Sequence, residues 1–179
     1  NEVAAMNVLI NVTMVAFLPG LGLGLAAATL VGQALGRQDV DDAEAWGWDV
    51  IKVGVTIMLV LGLPMAIAPE LILGAFFADE PEALALATLP LRLAGLTVWV
   101  EAILMVLLNG IMGAGATKIG LLVNVGMQWG LFLPVALAIS KLTGWGLLGV
   151  WSARIGYRTA QAVVLTVIWR KRSWSKVNL

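Results

Sequence analysis

Glu101 stands about halfway along a long apolar stretch, with uncharged residues on both sides. If that stretch crosses a bilayer, an ionised acid at its centre costs at least about 2.5–3.5 kcal/mol, so the side chain belongs against other helices or a water-filled cavity. An acid so placed can be protonated when dry and ionised when water or a cation reaches it. Glu101 is therefore a candidate carrier of a proton or cation, and a structural ion pair is the other reading of the same placement. Helical spacing sets Ala94, Thr97, Val98, Leu104, Met105 and Leu108 on its face. Thr97, one turn earlier, is a candidate hydrogen-bond partner. Met105 continues the face with a polarizable thioether and is a candidate cavity-lining residue. One carboxylate in such surroundings suits a lipophilic cation better than a sugar.

Arg154 and Arg158 are one turn apart in the last apolar stretch, and Gln161 continues their stripe. Arg158 is too deep to reach either interface easily, and its depth nearly matches that of Glu101. Arg158, with Arg154 beside it, is thus a candidate charge partner for Glu101 or for an acid outside these residues, exchanging during transport. A permanent pair, or snorkelling towards lipid headgroups, fits the spacing equally. Asn7 with Asn11, and Asn124 with Gln128, are each four apart on one face and suit either a cavity lining or bonds between helices.

The composition removes most other chemistry. With no histidine and no cysteine there is no usual zinc site, disulfide, histidine-ligated haem or Ser-His or Cys-His nucleophile pair, and no metal site or organic cofactor is expected. No Gly-x-Ser-x-Gly elbow appears either, so an enzyme is not expected. Eleven basic residues balance eleven acidic ones, which leaves no basic surface for nucleic acid. At 60% hydrophobic and 12% charged, the chain suits lipid rather than water as its solvent.

These residues must be positioned by membrane-spanning helices. Residues 3–36, 53–69, 102–117 and 119–140 carry no charge, runs too long and too continuously apolar for barrel strands. The expected fold is all-α and integral to the membrane, with about five spans at 4–35, 46–68, 89–112, 119–140 and 145–169 in a single transmembrane domain. The first, at about 1.5 Å per residue, is about 48 Å long against a hydrocarbon core of about 30 Å, so it must tilt, bend or protrude. Pro19, Pro64 and Pro134 fall inside spans, and Pro19 and Pro64 are candidate hinges. Arg170, Lys171, Arg172 and Lys176 place the C-terminus in the cytoplasm and, with five spans, the N-terminus outside.

Trp46, Trp48, Trp145, Trp169 and Trp174 fall near the predicted interfaces, as an aromatic belt would. The acids from Asp39 to Glu44 read as a solvated loop, and Asp79 reads as a helix cap before Pro81. The glycine pairs 20/24, 32/36 and 126/130 would let helices approach closely. A start at Asn1-Glu2-Val3, with no basic leader in the first apolar stretch, leads us to expect a piece of a longer chain.

Several segments in order carry a family resemblance: Ala4-Ala5, Phe17-Leu18-Pro19-Gly20, Thr29-Leu30-Val31-Gly32-Gln33-Ala34-Leu35-Gly36 and Phe77-Ala78-Asp79-Glu80-Pro81-Glu82. Asn109-Gly110-Ile111-Met112-Gly113-Ala114-Gly115-Ala116-Thr117 and Gly146-Leu147-Leu148-Gly149-Val150-Trp151 complete the set. Together they resemble the end of the second six-helix lobe in the multidrug and toxic compound extrusion (MATE) family, although Met112 and Ala116 stand where that family usually has Arg and Asp. The resemblance implies that the five spans are helices eight to twelve of a twelve-helix transporter in the cytoplasmic membrane, with helix seven and the first lobe upstream. It implies export of organic cations and drugs by alternating access, driven by H+ or Na+, with membrane lipid and the upstream lobe as partners. Glu101 matches a helix-ten acid, often Asp, implicated in cation coupling in one branch. A lipid-linked oligosaccharide flippase of the same superfamily, or a non-transporting membrane scaffold or truncated fragment, are the alternative readings.

Overall fold

The apolar runs fold as helices throughout, and no strand occurs among the described residues, in a computed structural model that describes the backbone of residues 2–77, 81–142 and 146–176. In chain order these are α1 (Glu2–Gly36), α2 (Val40–Ile67), the short α3 (Pro69–Gly74), α4 (Pro81–Gly113), α5 (Thr117–Met127), a π-helical turn (Gln128–Phe132), α6 (Leu133–Leu142), α7 (Gly146–Arg170) and a 3-10 turn (Ser173–Lys176). Asn7–Gly36, Val40–Ile67, Pro81–Gly113 and Thr117–Ile139 are long and apolar enough to cross a membrane. The fifth expected span, α7, has the length, but Arg154, Arg158 and Gln161 dilute its apolar character and it falls outside that set.

Most of the acidic stretch expected as a loop is instead the start of α2. The Asp39 carboxylate accepts the Asp42 N–H at 2.9 Å, and Asp41 and Asp42 occupy the first turn, where the helix dipole favours them. The reversal from α1 into this cap is tight. Gln38 adopts a left-handed φ of 61°, with Gln38 N–H on the Leu35 carbonyl at 2.8 Å and Asp39 N–H on that of Ala34 at 3.1 Å. The same pair of bonds follows α4, where Gly115, with φ 79°, donates to the Met112 carbonyl at 3.0 Å and Ala116 N–H to that of Ile111 at 3.1 Å. At its other end α4 begins with Pro81, well before the expected start at 89, because an N-terminal proline costs no helical bond and the acid after it suits the first turn. The expected cap Asp79 and the expected belt residue Trp145 lie outside the described residues.

The helical bonding of α1 runs on through Pro19, and that of α2 through Pro64. The break comes at Ala68, with φ −133°, just before Pro69 opens α3. Pro134 has no N–H to give to the preceding turn, and there the helix widens: Leu133 N–H bonds to the Gln128 carbonyl, five residues back.

The central helix is α4, which packs against α1, α2 and α7. Small residues allow this closeness. A Cβ on Gly62 of α2 would sit 2.5 Å from the Gly95 carbonyl of α4, and one on Gly95 would sit 2.7 Å from that of Gly62. Of the expected glycine pairs, Gly20, Gly24 and Gly32 face α4, whereas Gly36, Gly126 and Gly130 meet open space.

Trp169 and Trp174 are not belt residues. Both are fully buried and stack at 4.3 Å, because Gly47 of α2 and Gly110 of α4, far apart in sequence, leave a slot for the Trp169 ring. Trp46 is exposed, with its indole N–H on Asp42 at 3.2 Å, and half-buried Trp48 reaches Glu44. Beside the tryptophan stack, Arg172 holds Asp41 at 2.7 Å and Glu44 at 2.6 Å, tying the end of α7 to the start of α2. The hydrogen bond to Glu44, then that to Asp41, pushes the Arg172 guanidinium further above its ordinary range, so these pairs keep their cation at any physiological pH.

Candidate functional site

Glu101 occupies the middle of α4 and faces α7, where Arg158 meets it as a two-pronged ion pair. Arg158 Nε donates to Glu101 Oε1 at 2.8 Å, and Nη2 donates to Oε2. The planar guanidinium matches the two carboxylate oxygens, an arrangement that a lysine could not reproduce. The two side chains are each about a quarter exposed, so the pair is sheltered yet open to a cavity.

A polar chain extends from this pair across the bundle. Arg158 Nη1 donates to Gln161 Oε1 at 3.2 Å, and Gln161 Nε2 donates to Asn124 Oδ1 of α5 at 3.0 Å. Gln161 is fully buried, which makes its two partners a requirement of the fold. Alongside, the Tyr157 hydroxyl donates to Gln128 Oε1 at 3.1 Å, and the Tyr157 ring meets Phe132 at 5.3 Å. Gln128 and Phe132 both belong to the π-helical turn, whose extra residue reorients the side chains around it.

The cavity measures about 430 Å³. Its walls come from α1, Met58 of α2, the Glu101 face of α4, the π-helical turn and α7, and they are mainly apolar. Met105 lines it one turn from Glu101, and Gly20, the residue after Pro19, lies against Met58 and Met105. Arg154 also lines it, with its guanidinium 5.1 Å over the Trp151 ring, and does not join the Glu101 pair.

Thr97 lines the cavity, but its hydroxyl donates to the Leu93 carbonyl at 2.8 Å and the Ala94 carbonyl at 3.3 Å, not to Glu101. Mid-helix threonines commonly bond back to their own helix in this way. Asn124 serves as a link between helices and does not line the cavity, whereas Gln128 does both. Asn7 and Asn11 are exposed and line no part of it; α1 contributes Ile10, Met14 and Phe17 instead, with Asn7 about a turn beyond and Asn11 beside that face. Tyr157, Phe132, Met58 and Trp151 were not singled out as lining from sequence. Of these only Tyr157 carried a signal, as the sole tyrosine and the neighbour of Arg158.

A family model described as MatE matches residues 1–138. A probable multidrug resistance protein NorM from Brucella suis is 30% identical over 172 residues, which cover 94% of this chain and 36% of that protein. A multidrug resistance protein NorM from Burkholderia vietnamiensis is 29% identical over 171 residues, covering 93% and 37%. Among solved structures, the inward-facing conformation of a multidrug resistance MATE family transporter of the MOP superfamily superposes with a TM-score of 0.85 at 20% identity, covering 98% of this chain and 41% of that one. That likeness is one of fold. The chain spans little more than a third of the length of the curated relatives it matches. With helices of membrane-spanning length, the match makes this a multi-pass membrane protein.

Proposed function

The chain belongs to the MatE family, and on that premise we propose that it is the second-lobe part of a cation-coupled antiporter in the cytoplasmic membrane. The transporter exports amphipathic drugs, organic cations among them, by alternating access. One observation carries this reading: the only acid lining the cavity among the described residues is held by an arginine from another helix. A proton or Na+ arriving at Glu101 takes the negative charge that Arg158 uses. Ion binding and the α4–α7 pair therefore oppose one another, and each favours a different arrangement of the two helices. Coupling needs no more than this difference in preference, with drug and ion favouring opposite states.

Pro19 and Pro64 are bending points in this scheme. Each removes a backbone bond from a helix that packs on α4, and Pro64 lies one turn before the break at Ala68. The N-terminus lies outside and the basic C-terminal residues lie in the cytoplasm.

The test is ion-driven drug transport in proteoliposomes by the gene product that carries this chain. Glu101→Gln is expected to lose transport driven by a pH or sodium gradient while keeping gradient-free exchange of labelled drug. Full gradient-driven transport by that variant would sink the proposal.

A further inference from the structure

Three charged side chains line the cavity among the described residues: Glu101, Arg154 and Arg158. Glu101 and Arg158 neutralise each other, and Arg154 has no ion-pair partner among the described residues. The lining therefore carries one uncompensated positive charge. We propose that the Arg154 guanidinium, placed over the Trp151 ring, receives a carboxylate of the cargo, so that the site prefers aromatic compounds bearing an acid group, zwitterions included, to their purely cationic counterparts. This rests on the exporter reading and narrows its cargo.

The geometry favours such a ligand in three respects. The Trp151 ring lies 5.1 Å from the guanidinium carbon, and no hydrogen bond or ion pair among the described residues occupies the Arg154 N–H groups, which suit a planar, two-oxygen partner. The cavity, at about 430 Å³, is of drug size, and Phe132, Tyr157, Met58 and Met105 supply aromatic and polarizable walls for a ring system. A purely cationic ligand finds Glu101 already engaged by Arg158 and meets the like charge of Arg154. Arg154 is itself exposed, so its guanidinium is open to a ligand.

Two rhodamines that differ only in whether the pendant ring carries a free carboxylate or its methyl ester test this by fluorescence polarisation on the purified gene product that carries this chain. The acid is expected to bind about tenfold more tightly than the ester, a difference of about 1.4 kcal/mol. Arg154→Gln should bring that ratio to about one, and Arg154→Lys should keep part of it, because charge remains while the planar fork is lost. An ester bound as tightly as the acid, a ratio unchanged by Arg154→Gln, or binding of neither dye overturns the proposal. An acid from outside these residues that already holds Arg154 would show itself as the first of those results. Ion-driven transport of the ester without preference for the acid would refute the cargo assignment alone. An Arg154-dependent preference for the acid without ion-driven transport would refute the exporter reading and leave the binding site standing.

Discussion

Removing the Glu101 carboxylate should cost more than removing the whole Glu101–Arg158 pair. Losing one partner of a fully buried pair costs about 3–5 kcal/mol, and exposed pairs are worth about 0–1 kcal/mol. Glu101 and Arg158 are 28% and 24% exposed, nearer the buried case. Glu101→Gln is therefore expected to destabilise the protein by about 2–3 kcal/mol, a range interpolated between those limits. The remaining cation cannot escape by deprotonation, since a guanidinium keeps its charge, and it is left with neutral partners such as Gln161. Adding Arg158→Gln removes the stranded charge and lets two amides bond each other. The double variant should then recover at least about 1 kcal/mol over Glu101→Gln alone, as expected when the partner of a stranded charge is also removed. Equilibrium unfolding in mixed micelles on the wild type, both single variants and the double variant measures the coupling. Single effects that add to within about 0.5 kcal/mol would refute a direct charge pair.

Gln38 has a side chain in the left-handed conformation that favours glycine, so Gln38→Gly should stabilise the turn between α1 and α2 by about 1 kcal/mol in the same unfolding assay. A neutral or destabilising result would show that the Gln38 side chain contributes more than its backbone strain costs. At the tryptophan stack, the Trp174 indole N–H donates to the Trp169 carbonyl at 3.0 Å, whereas the buried Trp169 indole N–H has no partner among the described residues. Trp174→Phe should therefore cost more than Trp169→Phe, by about the 1 kcal/mol of one net hydrogen bond, and the reverse order would contradict this assignment.

The site was legible where one charge interrupts an apolar run. Glu101 and Arg158 each stand out because lipid tolerates so few ionised groups, and their similar depths in the chain bring them level in the fold. The face around Glu101 followed from helical period, so Thr97, Val98 and Met105 reach the cavity. Period says nothing about which way a hydroxyl turns, and Thr97 bonds to its own helix. Nor does it fix where a cavity ends along a helix: Asn7 shares the spacing of the lining residues Ile10, Met14 and Phe17 yet stays outside, and Asn11 lies beside their face. Trp169 shows the limit most sharply. Its place near a span end suggests the lipid interface, but its slot is made by Gly47 and Gly110 on two other helices, and nothing local to residue 169 announces it. The π-helical turn was foreshadowed only by Pro134, which demands a defect without saying which kind.

In the proposed exporter, the contacts of α7 would decide how the bundle responds if an ion took Glu101 from Arg158. At its Arg170 end the helix is fixed by apolar packing, with Trp169 in its glycine slot and Trp174 stacked on it, and by Arg172 on two acids of α2. These contacts involve no group that the coupling ion would reach. Midway, the link to α4 is the Glu101–Arg158 ion pair, backed by the polar chain through Gln161 to Asn124. Towards Gly146, Trp151 joins a separate apolar cluster with Leu73, Phe77 and Leu91, built on α3 and α4. Without the pair α7 would be held near both ends, by Trp169 and Trp174 at one and by Trp151 at the other, so its middle around Arg158 would be the part freest to move. Ile155, Tyr157 and Arg158 line the cavity, so in the proposed exporter a motion that answered the ion would also reshape the place proposed for cargo. A chain that joined α7 to α4 by apolar packing along its whole length would have no such point of exchange, because packing offers an ion nothing to compete for.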